Sequence, residues 1–98
     1  MNIEEVIREK QVTIVDVRTP AEFMGGNVEG SINIPLQETT NKIEELKKLK
    51  QPLVLYCASG NRSGQAHRYL MQQGIECLNG GPWMDVNYYQ SQIVETND

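Results

Sequence analysis

The sequence is poor in the side chains that metal sites, disulfide scaffolds and nucleic-acid binders need. Its 98 residues contain one histidine, His67, and two cysteines, Cys57 and Cys77. No Cys-x-x-Cys pair occurs, so a zinc site has almost no material. Two cysteines are also too few for a disulfide framework. Positive charge is scarce: Lys plus Arg is 9 against 13 Asp plus Glu, a net charge of −4. A compact acidic chain lacks the concentrated positive field that phosphate backbones require, so no nucleic-acid partner is expected. No apolar run approaches the ~20 residues of a bilayer crossing, and no membrane partner is expected. Charges interrupt the stretch from Met1 to Lys10, so no apolar signal region is seen there. A cytoplasmic location is the simplest expectation. A starting Met standing in for a removed signal peptide would make it periplasmic.

What is present is enough for a core. Hydrophobic residues make up 39% and charged residues 22%, the composition of a folded domain. One domain over 1–98 is expected, with a core over about 3–89 and a polar, frayed tail over 90–98. No repeat or low-complexity stretch divides it. Ile3, Val6 and Ile7 mark one apolar face of a helix over Asn2 to Lys10. Val12 to Val17 is a β-branched run suited to a strand covered on both faces. Thr19-Pro20-Ala21-Glu22 places a cap, a first-turn proline and an early acid before a short helix ending at Gly25-Gly26. Ser31 to Ile34 reads as a short strand and Thr40 to Leu49 as a helix. Lys47, Lys48 and Lys50 alternate with acids as a solvated face. Leu53 to Tyr56 is a buried strand, Ser63 to Gln73 a helix closed by Gly74, and Ile75 to Leu78 a further strand. Gly80-Gly81-Pro82-Trp83 reads as a turn into a last helix. Strands alternating with helices imply a mostly parallel sheet between helical layers, with ligands beyond the carboxyl ends of the strands. The strand Leu53 to Tyr56 aims that end at Cys57.

Cys57 begins a small polar loop that runs straight into a helix. Gly60 and Asn61 tolerate unusual dihedrals, so the backbone N–H groups can curl inward as a nest. The helix N-terminus adds its positive pole. The expected anion is the Cys57 thiolate itself. An ordinary thiol of pKa about 8.5 is only ~3% ionised at neutral pH, and lowering that pKa by two units takes roughly 2.7 kcal/mol. A helix terminus supplies about 0.3–1 kcal/mol. Convergent N–H donors at about 1 kcal/mol or more each must supply the rest, with Ser63 placed to add its hydroxyl. A structural cysteine is the alternative, but Ser, Gly, Asn and Arg make poor core around it.

Taken together, several fragments resemble a single-domain rhodanese. They are Asp16-Val17-Arg18 with Glu22-Phe23, Gly30-Ser31-Ile32-Asn33-Ile34-Pro35, Tyr56-Cys57-Ala58-Ser59-Gly60-Asn61-Arg62-Ser63-Gly64, and Gly80-Gly81 with Trp83. Their order and spacing span about Ile3 to Tyr89. The resemblance implies an α/β, three-layer rhodanese-like fold, with a five-stranded, mostly parallel sheet and helices on both faces. It implies sulfurtransferase chemistry with Cys57 as nucleophile. Thiosulfate or a persulfide would be the donor, and cyanide, a thiol or a sulfur-accepting protein the acceptor. The amides of Ala58, Ser59, Gly60, Asn61, Arg62 and Ser63 would hold the thiolate and the persulfide, with no metal or organic cofactor. Arg62, the only cation of the loop, either attracts an anionic donor or pairs with a nearby acid. Asp16, Arg18 and Glu22 are assigned to bracing the loop, with Glu22 expected as the partner of Arg18. Two positions depart from the family pattern. Asn27 and Val28 stand for a common His-Ile pair, and Gly30-Ser31 for Gly-Ala; both read as architectural changes. Ala58 and Ser59 are small and neutral, whereas many efficient thiosulfate users of the family carry extra positive charge there.

Other readings compete. A cysteine phosphatase or arsenate reductase has five residues between Cys and Arg; here Ala58, Ser59, Gly60 and Asn61 make four. A shorter ring suits one sulfur atom better than a tetrahedral oxyanion. A protein-to-protein sulfur carrier with little small-molecule turnover is a closer alternative, and an inert binding module a more distant one. His67 reads as solvent-facing or structural, Cys77 as packed filler, and Phe23 and Met24 as packing. Trp83 and Met84 read as core cover or pocket rim.

Overall fold

The computed structural model describes residues 2–9 and 11–93. The expectation of a frayed tail falls partly on 94–98, outside the described residues. Its beginning is helical: α5 spans Trp83–Ser91. The other helices are α1 Ile3–Arg8, α2 Pro20–Gly25, α3 Ile43–Lys47 and α4 Asn61–Gln72. The strands are β1 Thr13–Asp16, β2 Ile32–Asn33, β3 Leu53–Cys57 and β4 Cys77–Pro82.

The sheet is parallel throughout, in the order β2-β1-β3-β4. Among the described residues it has four strands, not the five expected. The segment before β2 does not form another ladder. It closes on itself in a turn, with the Ser31 N–H donating to the Val28 carbonyl at 3.0 Å. The residue before β4 extends the existing pairing, as Leu53 N–H donates to the Glu76 carbonyl at 3.0 Å.

Side chains of β3 alternate between two cores, as the period of a strand requires. Leu53, Leu55 and Cys57 join Leu46, Ala66 and Leu70, on the face covered by α3 and α4. Val54 and Tyr56 join Val6, Ile7 and Val86, on the face covered by α1 and α5. All five β3 residues are buried, which explains the unbroken apolar run. The helix expected over Thr40 to Leu49 is instead a 3-10 segment, Leu36–Asn41, followed by the shorter α3. Buried Thr39 turns its hydroxyl back onto the Leu36 carbonyl at 2.8 Å, holding the tighter turn.

The glycine pair is not a turn. Gly80 and Gly81 lie inside β4, where the pairing with β3 slips between Leu55 and Tyr56. This is a β-bulge, a device that re-aims side chains. Gly80 has no room for a side chain: a Cβ would sit 2.8 Å from Val86 Cγ2 and 3.0 Å from the Leu55 carbonyl oxygen.

Candidate active site

Cys57 ends β3 at the carboxyl edge of the sheet, and its sulfur faces donors. The Gly60 N–H lies 3.0 Å from Sγ, the Ser63 N–H 3.4 Å and the Ser63 hydroxyl 3.6 Å. The backbone reaches this shape because Gly60, the N-cap of α4, takes φ +95°, a left-handed conformation open to glycine. A Cβ on Gly60 would also approach Gly81 Cα to 3.2 Å, so loop and bulge are packed backbone to backbone. Helix α4 begins at Asn61, two residues before the expected Ser63, which brings the first-turn amides under the sulfur.

Burial pushes the Cys57 thiol up, and the donors push it down. Donation from Ser63, Ser59 and Gly60 outweighs burial, so the thiol is more acidic than an ordinary cysteine. Cys57 is nevertheless 0% exposed. Ala58, Ser59 and Asn61 stand exposed in the loop after it. The thiol therefore sits in a closed nest. A cleft of about 200 Å³ lies near the opposite end of the sheet, lined by Ile7, Thr13, Gly30 and Gln90.

One member of the site has no signal in the sequence. The bulge brings the Asn79 carboxamide against the loop. Its Oδ1 accepts from the Ser63 hydroxyl at 2.7 Å and from the Gly81 N–H at 3.1 Å, and its Nδ2 donates to the Gly60 carbonyl at 3.3 Å. Asn79 thus ties together the two residues that face the sulfur. A lone Asn before a glycine pair resembles any turn residue, and only the register slip reveals its place.

The charged pairs differ from those expected. Arg18 does not pair with Glu22. It grips Asp16, with Nε at 3.0 Å from both carboxylate oxygens and Nη2 at 2.7 Å from Oδ2. Both residues are buried, and the Arg18 guanidinium carbon lies over the rings of Tyr56 and Trp83, 5.6 and 5.1 Å from their centroids. Two residues apart, Asp16 and Arg18 close a compact turn at the end of β1, and that proximity favours Asp16 over the more distant Glu22. Asn33 braces the same turn, donating to the carbonyls of Asp16 and Arg18 at 2.9 and 3.0 Å.

Glu22 faces the cysteine loop instead. Arg62 Nη1 and Nη2 grip its two oxygens at 2.8 and 3.0 Å in a fork. Glu22 is also the acid of the Thr19 capping box, accepting from the Thr19 N–H at 2.9 Å. The Arg62 guanidinium first, then the Thr19 N–H, holds its carboxyl down to about 2. The start of α2 is thereby fastened to the start of α4.

The substituted positions are architectural. Val28 is buried and its N–H donates to the Tyr56 hydroxyl at 3.0 Å, while Ser31 Oγ lies 2.9 Å from the same hydroxyl. Cys77 is buried, and burial raises its thiol to about 11. His67 is half-buried, and its carbonyl rather than its ring meets Cys77 Sγ, at 3.8 Å. Met24, expected as packing, is 84% exposed, because α2 buries none of its residues. Met84 is exposed too, whereas Trp83 and Phe23 are half-buried. Among the described residues no cluster of His, Cys, Asp and Glu is placed to hold a metal ion, and no helix is long and apolar enough to cross a membrane.

Known proteins resemble this chain in sequence and in fold. The family model for the rhodanese-like domain matches residues 3–82. A protein of Allochromatium vinosum named sulfurtransferase is 42% identical over 65 residues, covering 66% of this chain and 60% of that protein. The thiosulfate sulfurtransferase PspE of Escherichia coli is 39% identical over 74 residues, covering 74% of this chain and 71% of PspE. The chain thus spans less than two thirds of the first of these and somewhat more of the second. A rhodanese-related protein from Thermoplasma volcanium superimposes with a TM-score of 0.75 at 31% identity, covering 90% of this chain and 88% of that one. An E. coli rhodanese solved with anions superimposes with a TM-score of 0.69 at 34% identity, covering 76% and 89% of the two chains. A parallel sheet flanked by helices, a cysteine nest at its carboxyl edge and these likenesses lead to one assignment: the chain belongs to the rhodanese-like domain family.

Proposed function

We propose that the protein is a sulfurtransferase that carries a sulfane sulfur on Cys57. The observation that supports this most directly is the convergence of the Gly60 N–H and the Ser63 N–H on Cys57 Sγ. Such donors stabilise the thiolate, which is the nucleophilic form. In the first half-reaction the Cys57 thiolate attacks the outer sulfur of thiosulfate or a persulfide. A sulfur–sulfur bond forms at Cys57 while the donor's own sulfur–sulfur bond breaks, its electron pair leaving with sulfite or the donor thiolate. Cys57 is left as a persulfide anion, its charge still in reach of the Gly60 and Ser63 amides. In the second half-reaction cyanide or a thiolate attacks the outer sulfur and leaves as thiocyanate or a new persulfide, returning the Cys57 thiolate. Each half conserves charge and needs no metal. Two half-reactions through a covalent intermediate give ping-pong kinetics.

Asp16 and Arg18 serve as a buried brace at the end of the neighbouring strand, and Glu22 and Arg62 as a second brace across the loop. The donor sulfur must reach Cys57 past Ala58, Ser59 and Asn61, the exposed residues of its loop. A protein-to-protein sulfur carrier uses the same first half-reaction, and the closed nest favours it as the second reading: a shielded persulfide is protected from stray thiols. The fork of Arg62 on Glu22 argues against phosphate chemistry, since the cation that would clamp the oxyanion is already held.

The test is intact-mass measurement after incubation with thiosulfate or a thiol persulfide. Wild type and Cys77→Ser gain one sulfur atom that cyanide removes, and Cys57→Ser gains none. Sulfur uptake by Cys57→Ser would sink the proposal. Turnover with cyanide or small thiols then separates the enzyme from the carrier.

A further inference from the structure

The segment Cys57 to Ser63 contains one cation, Arg62, and that cation is already engaged. Both ends of its fork lie on Glu22, at 2.8 and 3.0 Å, in a pair that is about one third exposed on each side. Glu22 in turn is held by the Thr19 N–H, so the carboxylate is fixed before Arg62 meets it. The second arginine nearby, Arg18, is buried on Asp16. The protein as a whole carries a net charge of −4. A multiply charged anion approaching Cys57 therefore meets a cation whose field is cancelled at short range, on a molecule that repels it at long range.

From this we infer that Glu22 is a specificity-determining residue of the Cys57 site. By neutralising Arg62 it disfavours doubly anionic sulfane donors such as thiosulfate, and directs the site to donors of low net charge, of which thiol persulfides on a neutral or basic carrier are the natural class. This inference rests on the sulfurtransferase reading and adds the choice of donor. It also gives Glu22 a role that bracing alone does not: the brace depends on hydrogen bonds, while the selection depends on the carboxylate's charge.

The variant Glu22→Gln separates the two. Glutamine at this position still completes the capping box and still offers Arg62 a carbonyl oxygen, but the negative charge is gone. Three donors share one reacting bond and differ in charge: thiosulfate is doubly charged, methanethiosulfonate singly charged, and 2-aminoethanethiosulfonate has no net charge. In each the Cys57 thiolate takes the outer sulfur, and sulfite or a sulfinate leaves with the electron pair of the broken bond. The measured quantity is kcat/KM of Glu22→Gln over wild type for persulfide formation. A single charge in a water-like medium gives an expected gain of about tenfold for thiosulfate and about threefold for methanethiosulfonate, with the uncharged donor changing least. The gain fades above about 0.5 M salt, where screening shortens the field to a few ångströms.

Wild type provides a second arm that does not depend on the variant folding. With Arg62 neutralised, added salt raises kcat/KM for thiosulfate relative to the uncharged donor, because only the repulsion of the net charge remains to be screened. A steep fall with salt would mean that an unneutralised cation serves the donor, and would overturn the inference. So would a Glu22→Gln ratio that is the same for all three donors, which is the mark of a purely structural brace. Absence of sulfur on Cys57 from every donor would instead remove the sulfurtransferase reading and this one with it. Sulfur uptake without charge dependence removes only this one.

Discussion

The Ser63 hydroxyl lies 2.7 Å from Asn79 Oδ1 and 3.6 Å from Cys57 Sγ. A hydroxyl has one hydrogen, and the shorter contact shows where it rests: on Asn79. The sulfur therefore depends first on the backbone amides of Gly60 and Ser63, while the Ser63 side chain serves as the link between nest and bulge. Asn79 reaches the same nest a second time through the Gly60 carbonyl, 3.3 Å from its Nδ2. The amides of the loop are thus held from outside by a residue on the neighbouring strand.

Removing that link is expected to loosen the nest. In Asn79→Ala the Ser63 hydroxyl loses its acceptor and the Gly60 carbonyl one of its two donors, keeping only the Gly64 N–H, and the amides converge less well on Cys57. The Cys57 thiol becomes less acidic, and alkylation at pH 7 slows by about three- to tenfold, the effect of losing roughly 1 kcal/mol of charge-directed hydrogen bonding. The pH dependence of iodoacetamide labelling checks this. An unchanged apparent pKa would show that the nest holds itself.

The two cysteines should separate cleanly by pH. Cys57 is acidified by its donors, and Cys77 is raised to about 11 by burial. As pH falls from 9, the labelling rate of an ordinary thiol declines at once, whereas that of Cys57 holds until its own lower pKa is reached. Cys77 stays unlabelled in the folded protein across this range. Mass spectrometry of Cys77→Ser and Cys57→Ser, labelled from pH 5 to 9, reads each thiol alone. A Cys57 profile with its midpoint at or above about 8.5 would contradict the acidified nest.

The bulge tolerates no side chain at Gly80. In Gly80→Ala the new methyl meets Val86, Val54 and the Leu55 carbonyl, the closest at 2.8 Å. Two of these are stiff β-branched tips and the third is backbone, so relief requires moving β3 or α5. Overpacking of this kind costs about 1–3 kcal/mol. In a domain of this size each kcal/mol lowers the melting temperature by about 4–8 °C. Thermal unfolding followed by circular dichroism measures it, and a melting temperature equal to wild type would show that the contact is easily relieved.

Acid should release the Glu22–Arg62 brace. The Glu22 carboxyl is held to about 2 in the folded protein, against about 4.3 in an unfolded chain. A depressed pKa adds stability that is present above the unfolded value and is lost as pH falls through the folded one. Wild type therefore exceeds Glu22→Gln in stability above pH ~5, the difference shrinks as pH falls, and the two converge only below pH ~2. The pair is about one third exposed, so solvent screening keeps the difference under about 1 kcal/mol. Urea unfolding across this pH range tests the convergence; a constant offset would place the contribution elsewhere.

Local chemistry wrote much of this protein directly into its sequence. The buried run Leu53 to Tyr56, the Thr19-Pro20-x-Glu22 cap and Gly74 after α4 specify their own elements, because each depends on neighbours within a few residues. The nest around Cys57 is of the same kind. Its donors are backbone amides within six residues of the sulfur, so a glycine and a helix start suffice to announce it. Long-range pairings are another matter. Arg18 had two acids near it in sequence, and only the turn at the end of β1 turned it to Asp16 and left Glu22 for Arg62, forty residues away. Asn79 entered the site through a slip in strand pairing. Gly80 and Gly81 read as a turn because packing against β3 and Gly60 leaves no trace in local preference. Chain-local hydrogen bonds are fixed by spacing; the choice among distant partners belongs to the register of the sheet, and that is set by the whole core at once.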